Sequence, residues 1–320
     1  MLLAPIKGIW SLARQAVEAW MEDYAPSMGA ALSYYTLFSI APLLLIVIGF
    51  AGLVFGPDAA RGEIFGQLRG LMGDDGAAAV ERLLAAADKP EGGAIATVTG
   101  MAMLLLGAMT VFGELQNALD RIWRAPARKR SAGWWNLIRS RLLSFGMILG
   151  VAFLLMVSLV LSAVISALGR LWGGAVPGWE TLAHWIDLGV SFVIVTVLFA
   201  MIYKIIPRVR IRWRDVWVGS AVTAALFAVG KLLIGLYLGK STIASAFGAA
   251  GSLVVLMVWV YYSAQIFLLG AEFTWVYAHT YGSRRGQPRP RPEESAPVEP
   301  RSPVGRASPA RADYSHAQRR

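Results

Sequence analysis

Cysteine is absent from all 320 residues, which excludes disulfides, thiolate metal ligands and a cysteine nucleophile at once. Histidine is nearly as scarce: His184, His279 and His316 stand far apart, with no HxH or HxxxH spacing among them. No Gly-rich phosphate loop of Walker pattern occurs. Phosphodiester or acyl hydrolysis needs a nucleophile, clustered metal ligands or an acid/base pair within reach of water, and none is visible, so the expectation is a non-enzyme with no cofactor and no metal. Charge is thin as well, at 16% of residues against 56% hydrophobic, where a soluble domain carries about 25% charged residues. The first twenty residues lack an uninterrupted apolar region, which argues against a cleaved signal peptide and leaves the first long apolar run as the insertion signal.

What the chain does have is long hydrophobic runs and a mean hydropathy of +0.54. Six of them, roughly 29–56, 94–116, 141–168, 185–206, 215–239 and 248–278, reach the ~20 residues that span a hydrocarbon core as helix. Each is apolar all round, and each is far longer than a barrel strand of about 10 residues. Closed helical hydrogen bonding is then obligatory. The predicted fold is all-α: a polytopic bundle of about six transmembrane helices.

The net charge of +10 is distributed unevenly. One connection carries Arg121, Arg124, Arg128, Lys129, Arg130, Arg139 and Arg141, and another Lys204, Arg208, Arg210, Arg212 and Arg214. The connections between them are poor in basic residues: 169–184 has only Arg170, and in 57–93 acids outnumber bases. Positive-inside bias then places both termini in the cytoplasm. Residues 1–28 read as an N-terminal interfacial helix, with Ile6, Ile9, Trp10, Ala13, Val17 and Trp20 on one stripe; packing of that helix on the bundle is an equal alternative. The outer loop 57–93 reads as two short amphipathic helices separated at Gly73. Residues 279–320, rich in Pro, Arg, Ser and Glu, read as a disordered basic tail.

Ionisable groups inside spans cost about 2.5–3.5 kcal/mol at the bilayer centre on insertion scales and mark candidate functional positions. Lys231 and Asp187 fall at similar depth in the fifth and fourth spans, where they could pair as a gate, or Lys231 could snorkel outward. Glu114 and Glu272 fall at the inner ends of the second and sixth spans, level with Asp120, Arg121, Arg124 and Lys204, which predicts an ion-pair cluster with a structural or a proton-coupling role. Tyr34 and Tyr35 in the first span, with Gln265 and Tyr262 in the sixth, could line a polar cavity or make interhelical hydrogen bonds. Pro42 predicts a kink and Pro207 a helix end. Gly52 with Gly56, Gly146 with Gly150 and Gly235 with Gly239 have the spacing of close helix contacts.

Three stretches carry a resemblance: AALSYYTLFSIAPLLL (30–45), ELQNALDRIWR (114–124), and the block running from YKIIPRVRIRWRDVWVGSAVTAALFAVGK to VWVYYSAQIFLLGAE (203–272). Together they resemble the YihY/BrkB family of bacterial inner-membrane proteins over roughly residues 20–280. The resemblance implies a six-helix inner (plasma) membrane protein, described variously as a transporter, a serum-resistance virulence factor and, historically, a ribonuclease. Asp120 departs from the asparagine common there, as Phe247 departs from a tyrosine opening the last span. The reading that follows is transport or permeation of an unidentified solute or lipid. An envelope scaffold is the rival, and a membrane-bound hydrolase is disfavoured. Membrane lipids are the expected partners, self-association stays open, and no specific nucleic-acid binding is expected, because positive-inside topology already accounts for the basic loops.

Overall fold

A computed structural model describes residues 3–87, 110–126, 179–240 and 251–287. Helix is the regular secondary structure throughout these residues. In chain order the helices are α1 (Leu3–Glu22), α2 (Ala25–Phe55), α3 (Pro57–Ala87), α4 (residues 110–122), α5 (Trp179–Ile205), α6 (Trp213–Lys240) and α7 (Gly251–Thr280). Three of them contain segments long and apolar enough to cross a membrane: His184–Ile205, Trp213–Tyr237 and Leu253–Thr280. They match the predicted fourth, fifth and sixth spans. Most of the predicted second span, all of the third, and the tail from 288 onward lie outside the described residues.

The helix ends follow the local sequence. Tyr24 adopts left-handed backbone (φ 57°, ψ 37°) and separates α1 from α2, which starts with Pro26 in its first turn. Proline fits there because its missing N–H would have no helical partner. α2 continues through Pro42 to a Gly56 with φ 88°, so the expected kink does not interrupt the helix. α3 breaks at Gly73 (φ 75°, ψ 177°), the position its apolar spacing predicts. α5 stops at Ile205, just before Pro207, which cannot continue the ladder.

α7 is the centre of the described fold and packs against α1, α2, α3 and α6. Its seam with α6 runs antiparallel and is set by small residues. A Cβ on Gly219 would stand 1.8 Å from Thr274 Oγ1, and one on Gly270 would stand 2.0 Å from Thr223 Oγ1. Each threonine thus seats on the other helix's glycine, and each hydroxyl donates to the carbonyl four residues back, Gly219 for Thr223 and Gly270 for Thr274, at 2.7 Å. The glycine pairs singled out by spacing do not form this seam. Gly56 and Gly235 have open space where a Cβ would be, Gly52 meets only the neighbouring Pro57, and Gly146 and Gly150 lie outside the described residues. A Gly-x-x-x-Gly search misses the contacts because threonine plays the second small residue.

Around the seam, Phe199, Tyr203, Phe227 and Phe267 pack as an aromatic group, with Tyr203 and Phe267 centroids 5.1 Å apart. The Tyr203 hydroxyl is buried; it donates to Phe267 O at 2.7 Å and lies 3.2 Å from Thr223 Oγ1. Facing away from the core, α6 exposes Val229, Leu232, Leu233 and Leu236 between Trp217 and Tyr237. Those two aromatics are separated by 20 residues, about 30 Å of helix, which is the thickness of a hydrocarbon core bounded by interfacial aromatic residues.

α1 buries Leu12, Ala16 and Ala19 against α7, while Trp10 (74% exposed), Val17 and Met21 point away. The expected stripe through Trp10 and Val17 is therefore the outward one. Small side chains let α1 approach α7 closely, and the bulky ones are left outside. Packing on the bundle and an outward apolar face coexist in the same helix.

Candidate functional site

The buried ionisable side chains gather at one end of the bundle, where α1 meets α2, α4 ends, α5 turns into α6 and α7 finishes. Four separate arrangements build this cap. In the first, Gln116 and Asp120, one turn apart on α4, hold the connection between α5 and α6. Gln116 Nε2 donates to Ile206 O at 3.0 Å, Arg208 N donates to Asp120 Oδ1 at 2.8 Å, and the Arg208 guanidinium lies 3.2 Å from Asp120 Oδ2. Burial pushes the Asp120 carboxyl above the ordinary carboxylate range, against the opposing pull of the Arg208 amide and charge.

In the second, Asp215 in the first turn of α6 is buried and ties down the chain beyond α7. Ser283 N donates to both its oxygens at 3.2 and 3.3 Å, and Ser283 Oγ donates to Oδ2. Arg284 lies beside it, lowered by burial and raised again by the Asp215 charge, with its guanidinium 5.2 Å over the Trp123 ring. In the third, Lys204 donates to Ile211 O and stands 5.5 Å over Trp213.

The fourth arrangement lies deepest. Asp23, the residue that closes α1, is fully buried and pairs with Arg124, whose side chain is 5% exposed. Arg124 Nη1 also donates to Arg121 O at 3.1 Å, and its guanidinium lies 5.4 Å over the Trp275 ring. Glu272 of α7, also fully buried, faces Asp23 and Arg124. Both Glu272 carboxylate oxygens and Asp23 Oδ2 are buried without a hydrogen-bond partner among the described residues, as is Arg124 Nε. Two turns further into α7, Gln265 presses its amide against Gly29, where a Cβ would stand 2.0 Å from Nε2, and its buried Oε1 is likewise unpartnered. Tyr24 and Arg124 are the two non-glycine residues with left-handed φ among those described (57° and 50°), and both belong here, since Arg121 lies 5.4 Å over the Tyr24 ring. Such backbone costs about 1–3 kcal/mol per residue and persists where the surroundings enforce it.

The expected charge cluster is thus redistributed. Arg124 and Glu272 come together, but Asp120 pairs with Arg208, Arg121 stacks on Tyr24, Lys204 caps a carbonyl, and Glu114 is half-buried on α4. Lys231 is exposed on α6, and the Asp187 side chain lies outside the described residues. Tyr34 is exposed and packs edge-on with Tyr35 and Phe38, while the nearby hydroxyls of Ser33 and Ser39 donate back to Ala30 O and Thr36 O within α2. Asp23, Asp215 and Tyr203 are not among the residues that the sequence marks, and Arg208 is marked there only as a basic loop residue. For Asp23 a signal exists: an acid followed by Tyr-Ala-Pro marks a turn between two helices, hence a residue held at a fixed place. Among the described residues no three His, Asp or Glu side chains gather as a metal site.

Comparison with known proteins gives one family. A family model described as virulence factor BrkB matches residues 16–295. A UPF0761 membrane protein of Pseudomonas aeruginosa is 29% identical over 269 residues, covering 81% of this chain and 61% of that protein. UPF0761 membrane proteins of Verminephrobacter eiseniae and Tolumonas auensis are each 28% identical, covering 83% and 79% of this chain and 62% and 80% of their own. The chain therefore spans about three fifths of the length of the Pseudomonas and Verminephrobacter relatives. No solved structure matches it.

Proposed function

The chain belongs to the BrkB family of membrane proteins, and from that premise we propose that it is a transport or permeation protein, passing a small solute or lipid between its spans under control of the Asp23–Arg124–Glu272 cluster. The observation that carries this reading is the cluster itself: two carboxylates and one guanidinium, all buried, with carboxylate oxygens left unpartnered among the described residues. A purely structural ion pair satisfies its oxygens, because each buried unpaired polar group costs about 1–3 kcal/mol. Groups kept charged or polar at that expense inside an apolar bundle are the usual marks of an ion or substrate path. Lys231 and Glu114, the other charges considered for this role, lack the burial of Glu272. The basic residues of the cap, Arg121, Lys204, Arg208, Arg210, Arg212 and Arg284 among them, favour placing it on the cytoplasmic side of a bacterial plasma membrane.

Reconstitution tests the proposal. The full chain in phosphatidylethanolamine/phosphatidylglycerol vesicles is assayed with entrapped pyranine for proton movement and with a fluorescent phospholipid for lipid scrambling. Flux of at least one probe above protein-free vesicles, reduced several-fold by Glu272→Gln or Asp23→Asn in variants that remain folded, is the expected result. No flux of either probe, or flux indifferent to both substitutions, would favour the scaffold reading.

A further inference from the structure

The charges of the deepest cluster do not balance. Asp23 and Glu272 bring two carboxylates and Arg124 brings one guanidinium, so full ionisation leaves one uncompensated negative charge in a site from which solvent is excluded. Among the described residues, the elements packed around it do not correct the count. The α1 end adds Glu22, a further acid; the turn after α4 adds only Arg124, since Arg121 points to Tyr24; and α7 adds Gln265, which is neutral, and His279, whose Nδ1 is engaged by Trp275 O at 2.8 Å. A charge left unpaired in a dry interior is strongly disfavoured, and the group neutralises instead. The unpartnered oxygens show where the missing positive charge belongs: Asp23 Oδ2 and the Glu272 carboxylate, which face one another, are acceptors without a donor among the described residues.

We propose that Asp23 and Glu272 form a binding site for a single exchangeable proton, held between their carboxyl groups, which brings the Asp23–Arg124–Glu272 cluster to neutrality and joins the α1–α2 turn and the end of α4 to α7. With the proton in place, Arg124 neutralises Asp23, and the Glu272 carboxyl donates to Asp23 Oδ2, satisfying that acceptor and one of the two Glu272 oxygens with one hydrogen. Loss of the proton puts two adjacent carboxylates against one cation and loosens the joint. The three elements that would separate meet at the strained residues Tyr24 and Arg124. The site does not depend on transport: it follows from charge and burial, and a scaffold could carry it equally.

Infrared difference spectroscopy of the purified full chain in lipid nanodiscs reads the proton directly. The expected result at neutral pH is a protonated-carboxyl C=O band in wild type that disappears in Glu272→Gln and also in Asp23→Asn, where the remaining Glu272 ionises against Arg124. Thermal stability gives the second reading. A folded state that holds a proton which the unfolded chain releases loses stability as pH is raised, so the wild-type melting temperature falls with rising pH and Glu272→Gln, neutral at every pH, loses that fall. A band absent from wild type, or unchanged in both variants, overturns the proposal. A melting temperature that rises with sodium or potassium in wild type but not in Glu272→Gln overturns it in favour of a bound alkali ion. Because these readings need no flux, a failed transport assay leaves them intact, and their failure leaves transport untouched.

Discussion

Asp120 shows how a single side chain can be both anchored and strained by its surroundings. It accepts the Arg208 amide and lies against the Arg208 guanidinium, yet burial outweighs both and pushes its carboxyl upward. An acid raised in the folded state binds its proton more tightly there than when unfolded. The stability it contributes is then present in acid and is lost as pH rises through the folded value. Melting temperature should therefore fall as pH is raised just above the ordinary carboxylate range, and Asp120→Asn, which keeps an oxygen for the Arg208 amide, should flatten that segment. A wild-type profile already flat there would contradict the assignment. Pairings of this kind are poorly legible in a sequence. Which residues are charged, and that Glu272 is costly where it sits, can be read directly. That Arg124 meets Asp23 across 101 residues, and Asp120 meets Arg208 across 88, cannot, because several cations of similar depth were available to each acid.

At the scale of helices, hydropathy and length were sufficient where the chain is long and apolar throughout. The fourth, fifth and sixth spans agree with α5, α6 and α7 to within a few residues at most ends, and the Gly73 break falls where the apolar spacing changes phase. Faces were less legible than extents. A helix apolar on every side does not declare which side meets its neighbour, and α1 buries alanines while exposing its tryptophan at position 10. The α6–α7 seam makes the same point, because its register depends on glycine–threonine complementarity and not on hydrophobicity. Gly219→Ala should destabilise the bundle by about 1–3 kcal/mol, the usual penalty of overpacking, and Thr274→Gly in the same chain should recover part of the loss, because it removes the Thr274 Cβ that would stand 2.6 Å from the added Cβ as well as the hydroxyl. Detergent-denaturation midpoints of the two singles and the double measure this coupling. Strict additivity would show that the two residues do not meet.

For the whole molecule, the cap and the apolar waist give one consistent picture. Gly8 of α1 faces the Tyr281 hydroxyl just past α7, so the described beginning and end of the chain lie close together. The cap carries Arg121, Arg124, Arg208 and Arg284 and the buried cluster, while the outward faces of α5 and α6 carry leucine, valine and aromatic side chains suited to lipid. The most direct test of a permeation path controlled by the cluster uses the natural absence of cysteine. Single substitutions Tyr35→Cys, Gln265→Cys and Lys231→Cys in the reconstituted chain are labelled with a membrane-impermeant maleimide from each side. The permeation account predicts that Gln265→Cys and Tyr35→Cys label from the cap side, and that labelling of Gln265→Cys changes with pH as the cluster gains or loses its proton. Labelling confined to loop positions, with Gln265→Cys silent from both sides at every pH, would mean a dry bundle and contradict it.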